Sequence, residues 1–326
     1  MRHISYECAK EILDKELAAD SYNSYIIEFF GGEPFIEFKL MQQLYEYIES
    51  KRKNVTYFVT TNGTLVHGEI HHWLYERRNK FVCSLSLDGD KSMHNINRDG
   101  SFDSIDLDFF ARTWPEQTVK MTISRETLPF LYDGIKFIVE KGLQPKISFA
   151  QGIIWEDENL KILENELEKV IDYYIANPKL RPSDLLNKNL MLVDFHENKK
   201  WCGMGGQLIA YDTEGKQYPC QAFSPSSLGD RMAKEYVNKT EKDFAFEYTE
   251  SIQCSKCAIE QLCPNCYGAN VQMTGDYMQR NMSLCELQKL IVLASAKYQF
   301  KKILMKNKHT DDDAIIMRSI KRLQSI

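Results

Sequence analysis

No run of about 18 apolar residues occurs in the 326-residue chain, so no transmembrane helix is expected. The opening MRHISYECAKEIL lacks the apolar segment of a secretory signal. Basic residues are in short supply: 41 Lys and Arg against 46 Asp and Glu leave a formal charge of −5. With no basic stripe interleaved with aromatics, the balance argues against nucleic acid as a partner. Internal repeats and low-complexity tracts are absent. Cysteine is also scarce over most of the length: outside residues 202–285 only Cys8 and Cys83 occur. These absences predict a soluble, cytoplasmic protein with no membrane partner.

What is present is a large core and a repeating pattern. Hydrophobic residues make up 43% and aromatics 12%, enough for two domains or for one α/β barrel with an appendage. Helical periodicity over 5–19 is followed by a strand at 25–30, a helix at 35–50 and a strand at 55–61. A helix at 69–76 and strands at 81–89, 118–124 and 146–152 continue the alternation, with a helix over 127–142 between the last two strands. Such alternation implies a parallel sheet, doubly wound or barrel-like. Ligand-like residues follow the strands: Gly31-Gly32-Glu33-Pro34, Asn62-Gly63, Asp88-Gly89 and Ser124. In a barrel those positions form the C-terminal mouth, where sites lie. Paired glycines there let a backbone approach a ligand closely, and Glu33 adds charge. Asp88-Gly89 equally fits a plain turn, and Asn62 a left-handed turn residue. An acidic helix over 156–176 ends at the connector NPKLRPSD, where the domain boundary is expected. A hairpin over 206–220, turning at 213–215, opens the second domain; a long helix over 284–304 closes it, and the last twenty residues read as a loosely held helix or tail.

Seven of nine cysteines fall in the 84 residues from Cys202 to Cys285. Without an export signal, such clustering reads as metal ligation rather than disulfides. Isolated Cys8 and Cys83 read as small buried hydrophobes. CSKCAIEQLCPNC offers Cys254, Cys257, Cys263 and Cys266 to zinc, but the five-residue central loop is short against the roughly 15–20 of a zinc ribbon. It would also leave three cysteines unexplained. Iron–sulfur clusters, at about four cysteines each, suit seven thiolates better, with one iron left to a non-cysteine ligand or open.

The order Cys202-x12-Gly215-x4-Cys220, Cys254-x2-Cys257-x5-Cys263-x2-Cys266, then Cys285, resembles the SPASM domain of radical S-adenosylmethionine (SAM) enzymes. The family spacing at Cys263 and Cys266 is usually three residues rather than two. The resemblance implies one auxiliary 4Fe–4S cluster on Cys254, Cys257, Cys263 and Cys285, and another on Cys202, Cys220 and Cys266. An eighth family cysteine corresponds here to His196, which is either a ligand or a solvated loop residue.

The resemblance runs from about residue 5 to residue 290. Gly31-Gly32-Glu33-Pro34 is similar to the radical SAM turn that meets the methionine amino group of SAM. LSLDGDKSMHNINRDGSFD (85–103) resembles the fourth-strand segment of sulfatase- and peptide-maturing members. On that match Ser86 and Arg98 contact SAM, Arg98 through its carboxylate, with Asn62 a further candidate. The implied fold is α/β: an incomplete parallel (β/α)6 barrel over 1–176, a connector over 177–200, a SPASM domain over 201–306 and a tail over 307–326. It is expected to be incomplete because the family's Cys-x3-Cys-x2-Cys loop occurs nowhere in the sequence, and the first strand is missing with it. In the family that triplet holds the cluster that cleaves SAM to a 5′-deoxyadenosyl radical. The implied parent function is an anaerobic peptide or protein maturase acting on a substrate such as a ribosomally made precursor. It would be fed electrons by flavodoxin or ferredoxin, although this chain is not expected to start the radical. Sulfatase maturation fits less well, because Gln221 stands where that branch has an aspartate base. The alternatives are a cluster-bearing electron-transfer or binding module, and a mis-started reading frame.

Overall fold

The computed structural model describes residues 3–18, 22–115, 117–194, 202–244, 254, 257–280 and 282–324. Five strands follow one another as β1 (Tyr25–Phe29), β2 (Val55–Thr61), β3 (Phe81–Leu85), β4 (Thr118–Ile123) and β5 (Gln144–Phe149). Every pairing among them is parallel, with Glu28 opposite Phe58, Phe58 opposite Val82 and Lys120 opposite Lys146. A parallel bridge between Ser86 and Lys120 joins the first three strands to the last two, and Leu87 N donates to Lys120 O at 2.8 Å. The sheet therefore runs in sequence order.

Period-two patterning decides which side of the sheet is dry. Val55, Tyr57, Val59 and Thr61 are buried on one face, while Thr56, Phe58 and Thr60 look to the other. The dry face is covered by helices, among them α1 (Tyr6–Ala18), α2 (Phe38–Ser50), α3 (Gly68–Glu76), α4 (Lys91–Asn97), α5 (Leu107–Thr113), α6 (Leu131–Glu140) and α7 (Asp157–Ala176). Met41, Leu44, Tyr45 and Ile48 recur at helical spacing and form the buried stripe of α2. Tyr45, Tyr57, Trp73 and Phe81 stack together in that core, with Tyr57 and Phe81 4.9 Å apart. Cys83 is fully buried there, as expected of a small hydrophobe.

The other face stays open. Ile26 on β1 is 76% exposed, and among the described residues β1 pairs only with β2. Lys120 crosses this face and donates to Thr60 Oγ1 at 3.0 Å. Burial lowers the Lys120 pKa, opposed by Glu28, and burial raises that of Glu28, opposed by Lys120.

The cysteine-rich module starts with an antiparallel hairpin, β6 (Ala210–Tyr211) and β7 (Gln217–Tyr218). It continues through α8 (Pro225–Ala233), α9 (Tyr267–Thr274), α10 (Cys285–Leu304) and α11 (Asp311–Leu323). Leu287, Ile291, Ala294 and Tyr298 of α10 enter the main core, and Lys297 and Lys301 pair with Glu168 and Asp172 of α7 at 2.6 and 2.9 Å. Fully buried Ser295 donates to Leu186 O at 2.9 Å and accepts from Lys188 N at 3.1 Å, pinning the connector. At the far side the hairpin meets α1: Lys15 donates to Tyr211 OH at 2.9 Å, and Tyr211 OH donates to Glu16 at 2.5 Å.

Two expectations need correction. Cys8 is only half-buried; it lies against the hairpin, where a Cβ on Gly215 would stand 3.0 Å from its Sγ. The final segment is a helix, but not a loosely held one. Thr310 and Asp313 form a capping box at the start of α11, and Leu323 is buried beside Leu190, Val193, Ile259 and Val292. Among the described residues no helix is long and apolar enough to cross a membrane.

Candidate functional site

The mouth of the sheet is organised by carboxylates. Glu33 Oε1 accepts from Phe35 N at 3.2 Å and from Thr61 Oγ1 at 2.9 Å, while Oε2 accepts from Asn62 N at 2.8 Å. One side chain thus ties the ends of β1 and β2. Asn62 does not take the left-handed conformation; Gly63 does, at φ +83°, and Asn62 Oδ1 accepts from Thr64 N at 2.9 Å in an Asx turn. Ser86 is buried at the β3–β4 junction, its N–H donating to Thr61 O at 2.9 Å.

Arg98 faces a protein carboxylate. Its Nε donates to Asp88 Oδ2 at 2.8 Å and an Nη to Oδ1 at 3.4 Å. Asp88, 1% exposed, also accepts from Thr122 N at 2.6 Å. The turn at Asp88-Gly89 is real, with Gly89 at φ +85°, but Asp88 is also a buried hub. His94 completes it: Nδ1 accepts from Asp88 N at 3.3 Å, and Nε2 lies 3.1 Å from Ser101 Oγ. Burial, then the Arg98 charge, lowers the His94 pKa to about 4, so the ring is neutral at neutral pH. The sequence does not single out His94 and shows Asp88 only as a turn or ligand-like residue, because its hub role depends on the Thr122 N–H from another strand.

Gly31 and Gly32 differ from this dense network. Both are exposed, neither has a positive φ, and a Cβ on either would meet nothing within 4 Å. The fold itself has no need of glycine at these positions.

The second candidate region lies between β5 and the module. A cavity of about 860 Å³ has Cys254, Cys257, Cys263, Cys266 and Cys285 on one side and Ile147, Ser148 and Phe149 on the other. Burial pushes the Cys263 thiol up to about 11; Arg280 opposes this, while Cys285, Cys257 and Cys254 add to it. Cys220 is likewise pushed up to about 11 by burial, with further upward contributions from Cys266 and Cys202. Among the described residues, no three His, Cys, Asp or Glu side chains converge closely enough to share one metal ion.

Comparison with known proteins fits this layout. Over 302 residues the chain is 20% identical to the radical SAM cyclopropyl synthase TigE of Paramaledivibacter caminithermalis, covering 87% of this chain and 62% of the synthase. It is 23% identical over 277 residues to a cysteine-type anaerobic sulfatase-maturating enzyme of Clostridium perfringens, covering 72% of this chain and 71% of that one. Its relatives thus include a radical SAM enzyme and an anaerobic sulfatase-maturating enzyme. The fold matches a solved structure of native anSMEcpe with bound AdoMet and Kp18Cys peptide, at a TM-score of 0.67 and 16% identity over 99% of this chain and 91% of that one. No protein-family model matches. The chain spans about three-fifths of the synthase, 62% of its length.

Two further sequence candidates remain. His196 lies outside the described residues. Gln221 opens a short 3-10 turn directly after Cys220, and its carbonyl accepts from Ser224 Oγ at 2.7 Å and Ser227 Oγ at 3.0 Å.

Proposed function

We propose that this chain is a radical SAM maturase of a peptide or protein, with the SAM cradle at the mouth of the sheet and two auxiliary 4Fe–4S clusters in the module. The observation that carries the cradle is the free space at Gly31 and Gly32. Glycines required by neither φ nor packing leave room for a group that is not part of the chain. On the family resemblance, their backbone with Pro34 and Asn62 would border the ligand. Glu33 holds two strand ends in register, and on the family resemblance Ser86 and Arg98 would complete the cradle. Arg98 retains donors beyond the two given to Asp88, since a guanidinium carries five. Those would meet the SAM carboxylate.

The cysteine arrangement favours clusters over zinc. Tetrahedral zinc with Zn–S near ~2.3 Å requires sulfurs about 3.8 Å apart. A 4Fe–4S cluster gives each cysteine its own iron, so its ligands stand round a larger body. Seven cysteines in one module match two clusters of about four ligands each better than a single zinc. Cys254, Cys257, Cys263 and Cys285 would hold one cluster; Cys202, Cys220 and Cys266 the other, with an open position or His196 as fourth ligand. Such clusters supply electron transfer when bound.

The finer reading is an incomplete barrel. Residues 1–326 contain no Cys-x3-Cys-x2-Cys, and the outer edge of β1 is unpaired among the described residues. A strand from outside these residues, bearing the triplet, would pair with that edge. Gln221 in the place of an aspartate base points away from sulfatase maturation and towards another peptide modification.

Anaerobic reconstitution of residues 1–326 tests the reading. About eight irons are expected, not about twelve, with no 5′-deoxyadenosine formed from SAM. Supplying a segment with the triplet should restore both. Zinc in the module, or SAM cleavage by the 326 residues alone, would overturn it.

A further inference from the structure

Two lysines stand side by side on the open face of the sheet. Lys120 of β4 and Lys146 of β5 are register partners, so their side chains leave the sheet on the same side. Val119, Met121 and Ile147, their neighbours along the strands, are buried on the other side, against the helices. Lys120 is half-buried and Lys146 is exposed. Lys120 gives a hydrogen bond to Thr60 Oγ1 at 3.0 Å, and its ammonium has further donors. Among the described residues neither lysine forms an ion pair. Two carboxylates bear on them: Glu28, which acts on Lys120 from β1, and Asp184, which accepts from Ile147 N at 3.2 Å and feels Lys188 more than Lys146. Like charges directly opposite one another destabilise a strand pair, so the fold itself gains nothing from this placement.

The setting shows what the charges face. Across the sheet come Ser86, whose bridge to Lys120 joins β3 to β4, then Lys120, then Lys146. Ser148, two residues beyond Lys146 on the same face, lines the cavity that carries the cysteines. The pair therefore lies between a residue proposed to meet SAM and the module proposed to hold the clusters. We propose that Lys120 and Lys146 form an anion site that binds an Asp or Glu side chain of the peptide substrate. The inference rests on the maturase reading above and adds a substrate class: a peptide with an acidic residue close to the modified position. Neighbouring strands lie about 4.8 Å apart, so the two flexible heads can each donate to one oxygen of the same carboxylate. Burial, together with Lys146, lowers the Lys120 pKa against the pull of Glu28; a bound carboxylate would act in the sense of Glu28.

A displayed library of random peptides would be selected on anaerobically reconstituted residues 1–326 with SAM present, and on Lys120→Met, Lys146→Met and Lys146→Glu. The unsubstituted chain should enrich Asp or Glu at one fixed place in the selected motif. The selected acidic peptide should bind about tenfold tighter than its Asn or Gln counterpart, as for a hydrogen bond to a charged group. Either change to Met should shrink that ratio, and Lys146→Glu should select Lys or Arg at the same place. Inorganic phosphate, added as competitor, should displace the peptide only weakly; phosphate bound as tightly as the peptide would make this a site for free anions and overturn the proposal. SAM binding to the chain supplied with the triplet should be unchanged in the Lys146 variants, and its loss would reassign the pair to SAM. A motif with no acidic position, or one that survives both Lys146 variants, would overturn the inference and leave the maturase reading standing. If no chain enriches any peptide, the peptide-substrate reading falls and this inference with it. Lys146 is exposed, so its variants decide even if Lys120→Met folds poorly.

Discussion

Glycines at the mouth of the sheet divide into two kinds. Gly63 is required by the fold: at φ +83° a side chain is strained, and its Cβ would approach Leu85 Cδ1 to 2.7 Å. Gly31 and Gly32 face open space. Gly63→Ala should therefore cost about 1–2 kcal/mol or more in denaturant unfolding. Gly31→Ala and Gly32→Ala should stay within about 0.5 kcal/mol of the parent. The same two substitutions should weaken SAM binding severalfold in the chain supplied with the triplet, as read by equilibrium dialysis. Stability loss at Gly31 equal to that at Gly63 would remove the ground for a cradle. Candidate residues of this kind were legible in the sequence as glycines after a strand. What Arg98 faces was not legible, because Asp88 owes its place to the Thr122 N–H, which only the β3–β4 crossing brings near.

Among elements, the alternating strands and helices could be read directly, since most strands show period two and most of the helices covering them a clear apolar stripe. The anchoring of the closing helix α11 could not. Its apolar residues Ile316, Ile320 and Leu323 are few among charged neighbours, and the surface they meet is assembled from Leu190, Val193, Ile259 and Leu262. Periodicity reports a stripe but not its distant partner. Leu323, 1% exposed, is the anchor of that contact. Leu323→Ala should cost about 2–4 kcal/mol in the module's unfolding, measured by chemical denaturation. A change below about 0.5 kcal/mol would return α11 to the status of a loose tail.

At the scale of the whole molecule, the cysteine-rich module touches both margins of an open sheet. α10 lies along α7 beyond β5, and the hairpin grips α1 beside β1 through Lys15, Glu16 and Tyr211. Cys220 follows β7 by two residues, so the sulfurs proposed for the second cluster are a short step from that grip. None of this was legible in the sequence, because contacts such as Lys15 to Tyr211 span 196 positions. Iron bound only by the folded module stabilises whatever folds with it. Hydrogen exchange at α1 should therefore slow on iron loading and quicken on chelation, although α1 offers no proposed ligand. Exchange there that ignores iron would mean the hairpin's grip carries no energy. If it does respond, the module works as a clasp: on the proposed reading, an open sheet keeps its curvature only while the clasp is fastened, and oxygen damage to a proposed cluster would loosen the distant wall proposed to hold SAM.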